Sequence, residues 1–260
     1  KISIKGVDTI IHLASIANDP MAELNKNLSW ETSALGTLRL MDHAIKNKVK
    51  RIIYASSGSV YGIKTDLRVH EKLSLNPISL YNKVKMTTER VLMSFQDKIE
   101  IFIVRPATVC GYSPRMRFDL TVNEFTKDLS LGKELIIFGE QFWRPYCHVK
   151  DFSNAFITVL RSPTEKVAYN VFNVGDTSEN YTKQMLIDEI KKVIPDSIIK
   201  YIEKNEDPRN YRVNSDKIKR ELGFKITMRV PDGIKEVKRI VQESIIQDPE
   251  DQRYYNIPHE

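Results

Sequence analysis

Two neighbouring stretches decide the fold: RIIYASSGSVYG at 51–62 and SLYNKVKMTTER at 79–90. The first begins as a short apolar run and ends in hydroxyl-bearing residues and glycine, which reads as a buried strand opening into a turn. The second has helical character and carries Tyr81 and Lys85 four residues apart. That spacing is about one helical turn, so a phenol and an ammonium project from one face, where the cation can favour phenolate and lower the tyrosine pKa. A strand end presenting Ser56, Ser57 and Ser59 beside such a pair is where an open α/β sheet receives ligands.

Working outward, VDTIIHLAS at 7–15 reads as a strand buried on both faces, and residues 30–47 as a helix on which Leu35, Leu38, Leu40, Met41 and Ile45 line one broad face. RIIYA, a helix over 79–95 and a strand over 99–105 halted by Pro106 continue the alternation. Strands alternating with helices of this length predict βαβ units, right-handed crossovers and a parallel sheet. Beyond Gly111 the reading is a loop, a helix at 119–131, a strand at ELIIF and a loop over GEQFWRPYCHVKD. There follow a helix at 151–161, a strand at 169–174, a helix at 181–193, a strand at 198–203, and helices at 214–222 and 231–245. DPEDQRYYNIPHE, from 248, has no periodicity and reads as a loosely held terminus.

The 260 residues are 41% hydrophobic and 28% charged, enough for a sizeable core, and no apolar stretch is long enough to span a bilayer. The two cysteines, Cys110 and Cys147, lack metal-ligand spacing with any histidine, so no structural metal is expected and buried thiols in a reducing cytoplasm are the simplest reading. A net charge of +6 is spread among 34 acidic residues with no basic block interleaved with aromatics, which argues against nucleic acid and fits a small anionic substrate.

Taken in order, GVDTIIHLAS, ALGT at 34–37, YASSGSVYG, YNKVK, VRPATVCG at 104–111, WRPYCHVKD at 143–151, NVFNVGD at 170–176 and ELGF at 221–224 resemble the extended short-chain dehydrogenase/reductase family of nucleotide-sugar epimerases, dehydratases and reductases. The resemblance implies a Rossmann-type, doubly wound α/β fold with a smaller C-terminal α+β substrate domain. The expected division is a cofactor domain over 1–112, rejoined by parts of 146–180, a mainly substrate-binding part over 113–247, and a tail over 248–260.

By the same resemblance Tyr81 is the acid/base, Lys85 holds the nicotinamide ribose, and Ser57 hydrogen-bonds the reacting sugar oxygen. Leu13, Ala14 and Ser15 pass beside NAD or NADP, Ser33 stands where the family often has a cofactor-contacting asparagine, and Ala107 lies near the nicotinamide. Thr108 replaces another asparagine at the substrate, while Arg144 and Arg209 are candidates for the diphosphate of a nucleoside-diphosphate sugar; a surface ion pair is the bland alternative for each arginine. His148, inside an apolar run, is expected to be packed and hydrogen-bonded, outside the mechanism. A homodimer through a four-helix bundle built from 30–47 and 79–95 is also implied.

Two departures narrow the reading. The family's glycine-rich GxxGxxG turn is not in this sequence, and strand 7–15 resembles the family's fourth, so an N-terminal truncation of roughly 60 residues is expected, with IIHLA as an exposed edge and a fragment that is inactive, poorly soluble or self-associating, and without measurable NAD affinity. Gly58 and Ser59 occupy positions where a 4,6-dehydratase carries Asp and Glu, which disfavours dehydration. What remains is a 4-epimerase or 4-ketoreductase acting at sugar C4 with NAD(P), the alternative being a non-catalytic dinucleotide-binding or protein-interaction module.

Overall fold

In the computed structural model, which describes residues 4–64, 68–203 and 210–257, four strands form one parallel sheet. They are β1 (Thr9–His12), β2 (Arg51–Ala55), β3 (Glu100–Pro106) and, out of sequence order, β7 (Asn170–Val174), arranged β1-β2-β3-β7. Ile10 pairs with Ile52, Ile53 with Phe102, and Val104 with Phe172, so continuous apolar runs stack where both sheet faces are covered.

A second sheet joins β4 (Thr108–Cys110), β6 (Trp143–His148) and β8 (Asn180–Thr182); β4 is parallel to β6 and β8 antiparallel to it. β5 (Leu135–Ile137) pairs in parallel with β9 (Ile199–Tyr201). The expected loop over GEQFWRPYCHVKD is therefore wrong in its second half, since β6 is the middle strand of the small sheet. Pro145 has no N–H to place in a ladder, but the next amide, Tyr146, donates to Glu179 O at 2.9 Å and keeps the strand paired.

The helices are α1 (Asp19–Leu24), α2 (Lys26–Trp30), α3 (Gly36–Lys46), α4 (Leu80–Met93), α5 (Thr121–Ser130), α6 (Val149–Arg161), α7 (Thr164–Val167), α8 (Lys183–Lys191), α9 (Asp216–Leu222) and α10 (Val230–Gln242). A π turn at Glu31–Leu35 joins α2 to α3, so the helical run expected from residue 30 starts earlier and is locally widened and underwound. Its inner face also differs from the leucine stripe read from sequence. Ala34, Thr37, Met41 and Ala44 are buried, whereas Leu35 and Leu38 stay 46% and 40% exposed. Small residues on the inner face let this run lie close to α4.

One core lies between the large sheet and α6, where Ile53, Phe102, Val104, Phe156, Val159 and Phe172 meet. Ile218 and Phe224, from α9 and just beyond it, join this core although the division at 113 assigns them to the other part. A second core gathers Val122, Phe125, Leu186, Ile190, Val230 and Ile234 from α5, α8 and α10. The open face between the two cores holds the site. β1 pairs only with β2 among the described residues, and Ile11 and Leu13 are 44% and 58% exposed there.

Candidate active site

β2 delivers the hydroxyl-rich turn by simple continuation: Ser56 N still donates to Val104 O at 2.8 Å, and Ser57 then caps the 3-10 turn Gly58–Tyr61 by accepting from Ser59 N at 3.2 Å. The Ser57 and Ser59 hydroxyls are 2.8 Å apart, and Ser59 Oγ donates to Asn82 Oδ1. Because Asn82 sits in the first turn of α4, this chain ties the strand end to the helix that carries Tyr81. The helix start is fixed in turn by Ser79, whose side chain accepts from Asn82 N at 3.2 Å.

Gly58 and Gly62 make the turn possible. A Cβ on Gly58 would lie 3.1 Å from Pro106 O, and one on Gly62, at φ +68°, would lie 1.9 Å from Asn76 O. A side chain at position 58 would therefore press on the Pro106 carbonyl, which would have to give by a few tenths of an ångström.

Ser57, Tyr81, Lys85, Ala107, Thr108 and Arg144 share one cavity of about 560 Å³. Lys85, 4% exposed, donates to Ala55 O at 2.8 Å and lies 5.8 Å from the centroid of the Tyr81 ring. Burial pulls its pKa down to about 8, with Glu89 one turn further along acting in the opposite direction. The tyrosine behaves otherwise than expected. Burial pushes Tyr81 up to about 12, against the neighbouring Ser57 side chain, and the charges acting on it are Asp19, upward, and Arg117, downward. Burial thus outweighs the expected lowering by Lys85: the ammonium lies beside the ring, itself desolvated and bound to a backbone carbonyl, while loss of water dominates at the phenol.

Leu13, Ala14, Ser15 and Ser33 do not line this cavity. Ser15 and Ser33 meet just before the wall: Ser15 Oγ is 3.0 Å from Ser33 Oγ, Ile16 N donates to Ser33 Oγ at 3.3 Å, and the wall begins at Ala17, while Leu13 is 58% exposed. Arg209 lies outside the described residues. Arg144 enters the cavity wall with its guanidinium 5.7 Å from the Tyr211 ring centroid and Nη1 donating to the carbonyl of Trp143 at 2.9 Å. His148 is buried; its ring contacts Glu236 at 2.9 Å and caps α6 by accepting from Lys150 N at 3.2 Å, as expected for a packed histidine. Both cysteines are free and buried, and burial holds the Cys110 thiol up at about 12.

Sequence reasoning missed Asp19, Arg117, Asp119, Lys183 and Tyr211, all in the same wall. Asp119 is gripped by Arg117 through two bonds of 2.6 and 2.8 Å, and the same wall holds a second carboxylate, Asp19, together with Lys85, Arg144 and Lys183. Only the run SPRMRFD, with its unpaired-looking arginines before a helix, carried a signal for any of these.

A parallel sheet whose strand ends open onto a cleft lined by serine, tyrosine and lysine side chains defines a Rossmann-like α/β protein. The model of the NAD dependent epimerase/dehydratase family matches residues 1–175, and the chain belongs to that family. The UDP-glucose 4-epimerase of Lactobacillus helveticus is 26% identical over 239 residues, 84% of this chain and 72% of its own length. UDP-glucuronic acid decarboxylase 6 of Arabidopsis thaliana is 29% identical over 244 residues, 88% of this chain and 68% of its own length. Among solved structures, a UDP-glucose 4-epimerase of Thermotoga maritima with UDP-glucose superposes with a TM-score of 0.82 at 26% identity, covering 92% of this chain and 78% of that one. Other solved chains of the same fold are complexes with NAD or with NADPH.

Proposed function

We propose that this chain carries the reactive centre of a nucleotide-sugar 4-epimerase or 4-ketoreductase, with Tyr81 as acid/base in hydride transfer between NAD(P) and sugar C4. The observation that carries this reading is the convergence of Ser57, Tyr81 and Lys85 in one cleft with Arg144. A non-catalytic module on the same fold would have no need of that convergence.

The residues fit the nicotinamide end of a dinucleotide. Ser56 Oγ is buried in the wall with no hydrogen-bond partner, Lys85 has donors beyond the one used on Ala55 O, and Ala107 is a small buried residue that leaves room for a flat ring. The described residues hold no glycine-rich turn for a pyrophosphate. When bound, the nicotinamide takes or returns the hydride at C4.

Tyr81, at about 12, carries its proton at neutral pH, which suits it to give that proton to O4 as a ketone is reduced. Ser57, beside it, orients the same oxygen. In the oxidising direction Tyr81 must first become more acidic, and Lys85 stands where a further hydrogen bond or charge can do this. Arg144 and Lys183 supply cations for the diphosphate, the former able to bind phosphate through two parallel bonds.

The relation to a UDP-glucuronic acid decarboxylase favours a second reading on the same residues. Oxidation at C4 of a glucuronate places a ketone β to the carboxylate, from which CO2 can leave. Half-exposed Leu35 and Leu38 beside α4 suit a homodimer built on these helices. The test is to incubate the protein with NAD or NADPH and UDP-glucose, UDP-glucuronate or a nucleoside-diphosphate 4-keto-hexose, and to identify products by NMR. A C4 epimer or a reduced 4-keto sugar supports the first reading, a UDP-pentose with CO2 the second, and unchanged sugars with no dinucleotide binding reject both.

A further inference from the structure

Within the stretch expected to be a loose terminus, the described residues up to 257 are anchored. Tyr255, 6% exposed, packs in a cluster with Met116 and Phe118, and its hydroxyl accepts from Lys127 Nζ at 2.7 Å and donates to Pro249 O at 3.1 Å. Lys127 is itself 1% exposed and reaches Glu250 and Asp128, each at 2.9 Å. Phe118 N donates to Tyr254 O at 3.0 Å, and Arg115 Nη2 to Asn256 Oδ1 at 2.8 Å. An anchor of this kind fixes the direction in which the next two residues leave.

They leave across the cleft. Asn256 N lies 3.4 Å from Asp119 Oδ2, and Asn256 Nδ2 lies 3.5 Å from Ala17 O in the loop after β1. The same Asp119 oxygen accepts from Asn18 Nδ2 at 3.0 Å and from Arg117 Nη2 at 2.8 Å. One carboxylate thus gathers three segments that are far apart in sequence. Ile257 follows directly and lines the cavity that holds Ser57 and Tyr81. Asp19, which opens α1 directly after Asn18, and Arg117, two residues before Asp119, line the same cavity as Tyr81 and Ile257, which places the segment at the reacting end of the cleft.

We propose that Asn256 and Ile257 are specificity-determining residues of the sugar subsite. Ile257 is an apolar wall for the C–H face of the pyranose ring, and Asn256 fixes that wall to the loops bearing Ala17 and Asp119. The inference rests on the nucleotide-sugar reading above. Arg144 and Lys183, assigned to the diphosphate, come from β6 and the start of α8, so the segment acts on the sugar and not on the nucleotide.

The test uses the full-length protein with NAD and titrates UDP alone, UDP-glucose and UDP-glucuronate by calorimetry. For Ile257→Ala, and for Asn256→Ala, affinity for the UDP-sugar that binds best is expected to fall about tenfold or more, the range for lost apolar contacts in a pocket. UDP alone should stay within about twofold, on the same separation of contacts. Ile257→Val, which keeps a branched apolar wall and perturbs folding least, should fall between. Equal losses for UDP and UDP-sugar would mark a merely structural segment and overturn the proposal, as would unchanged affinity for both. If the unsubstituted protein binds UDP but not more tightly with any sugar attached, this inference fails alone; if it binds no UDP, the nucleotide-sugar reading fails and takes it along.

Discussion

Removal of the Glu89 charge should unfold much of the margin that keeps the site assembled. On α4, Tyr81, Lys85 and Glu89 follow at intervals of four residues and share a face. Glu89 and Arg105 are each 4% exposed, and the guanidinium binds the carboxylate through Nε at 2.9 Å and Nη2 at 2.6 Å. Arg105 Nη1 continues to Tyr61 OH at 2.9 Å, and that hydroxyl donates to Asn173 Oδ1 at 2.8 Å. The guanidinium cannot release its proton, so Glu89→Gln leaves a buried cation without its counter-charge.

Breaking such a pair from one side costs about 3–5 kcal/mol. We expect Glu89→Gln near 3 kcal/mol, because one acceptor and the volume survive, and Glu89→Ala near 5 kcal/mol, on the order of half of a typical domain's stability. Urea denaturation with an unchanged m-value is the assay. Glu89→Leu combined with Arg105→Leu should recover at least half of the loss, since no charge is then stranded. A shift below about 1 kcal/mol for Glu89→Gln, or a double variant equal to the sum of the singles, would refute the reasoning.

Lys85 loses its proton as pH rises through about 8, so kcat/KM should fall on that limb, and Glu89→Gln should move the limb to lower pH because Glu89 is the group that raises Lys85; a rate profile from pH 6 to 10 reads both. Lys85→Arg, which keeps its charge, should abolish the limb whatever it does to the maximum. Gly62→Ala should cost about 2 kcal/mol or more, because the added Cβ would meet the Asn76 carbonyl at a left-handed backbone position, and thermal melting measures it. Arg144→Ala should raise KM for a UDP-sugar by about tenfold or more with kcat changed less, as expected for a charge-assisted contact to a non-reacting group; an unchanged KM would return Arg144 to a surface role.

The large sheet was legible because its strands are written as continuous apolar runs: RIIYA and IEIFIVR become β2 and β3 within a residue of the expected ends. The small sheet was not. β4 and β8 are three residues each, too short to show periodicity, and Pro145 in the middle of β6 argues locally against a strand that pairing on both sides nevertheless imposes. Ser57, Tyr81 and Lys85 were legible as a spacing; the Tyr81 pKa was not, because it depends on burial in the folded chain and on the charges of Asp19 and Arg117, which are far from Tyr81 and from each other in sequence. The tail was misread for the same reason: its anchor, Tyr255 on Lys127, joins residues 128 apart, and no local pattern records such a contact.

The most direct test of the central claim is Tyr81→Phe in the full-length protein, followed by turnover of a UDP-sugar with NAD(P). The account predicts a fall in kcat of about 10²–10⁴-fold with a KM changed by little, because only a proton carrier is removed and the ring still fills its place. Turnover equal to that of the unsubstituted protein would contradict it.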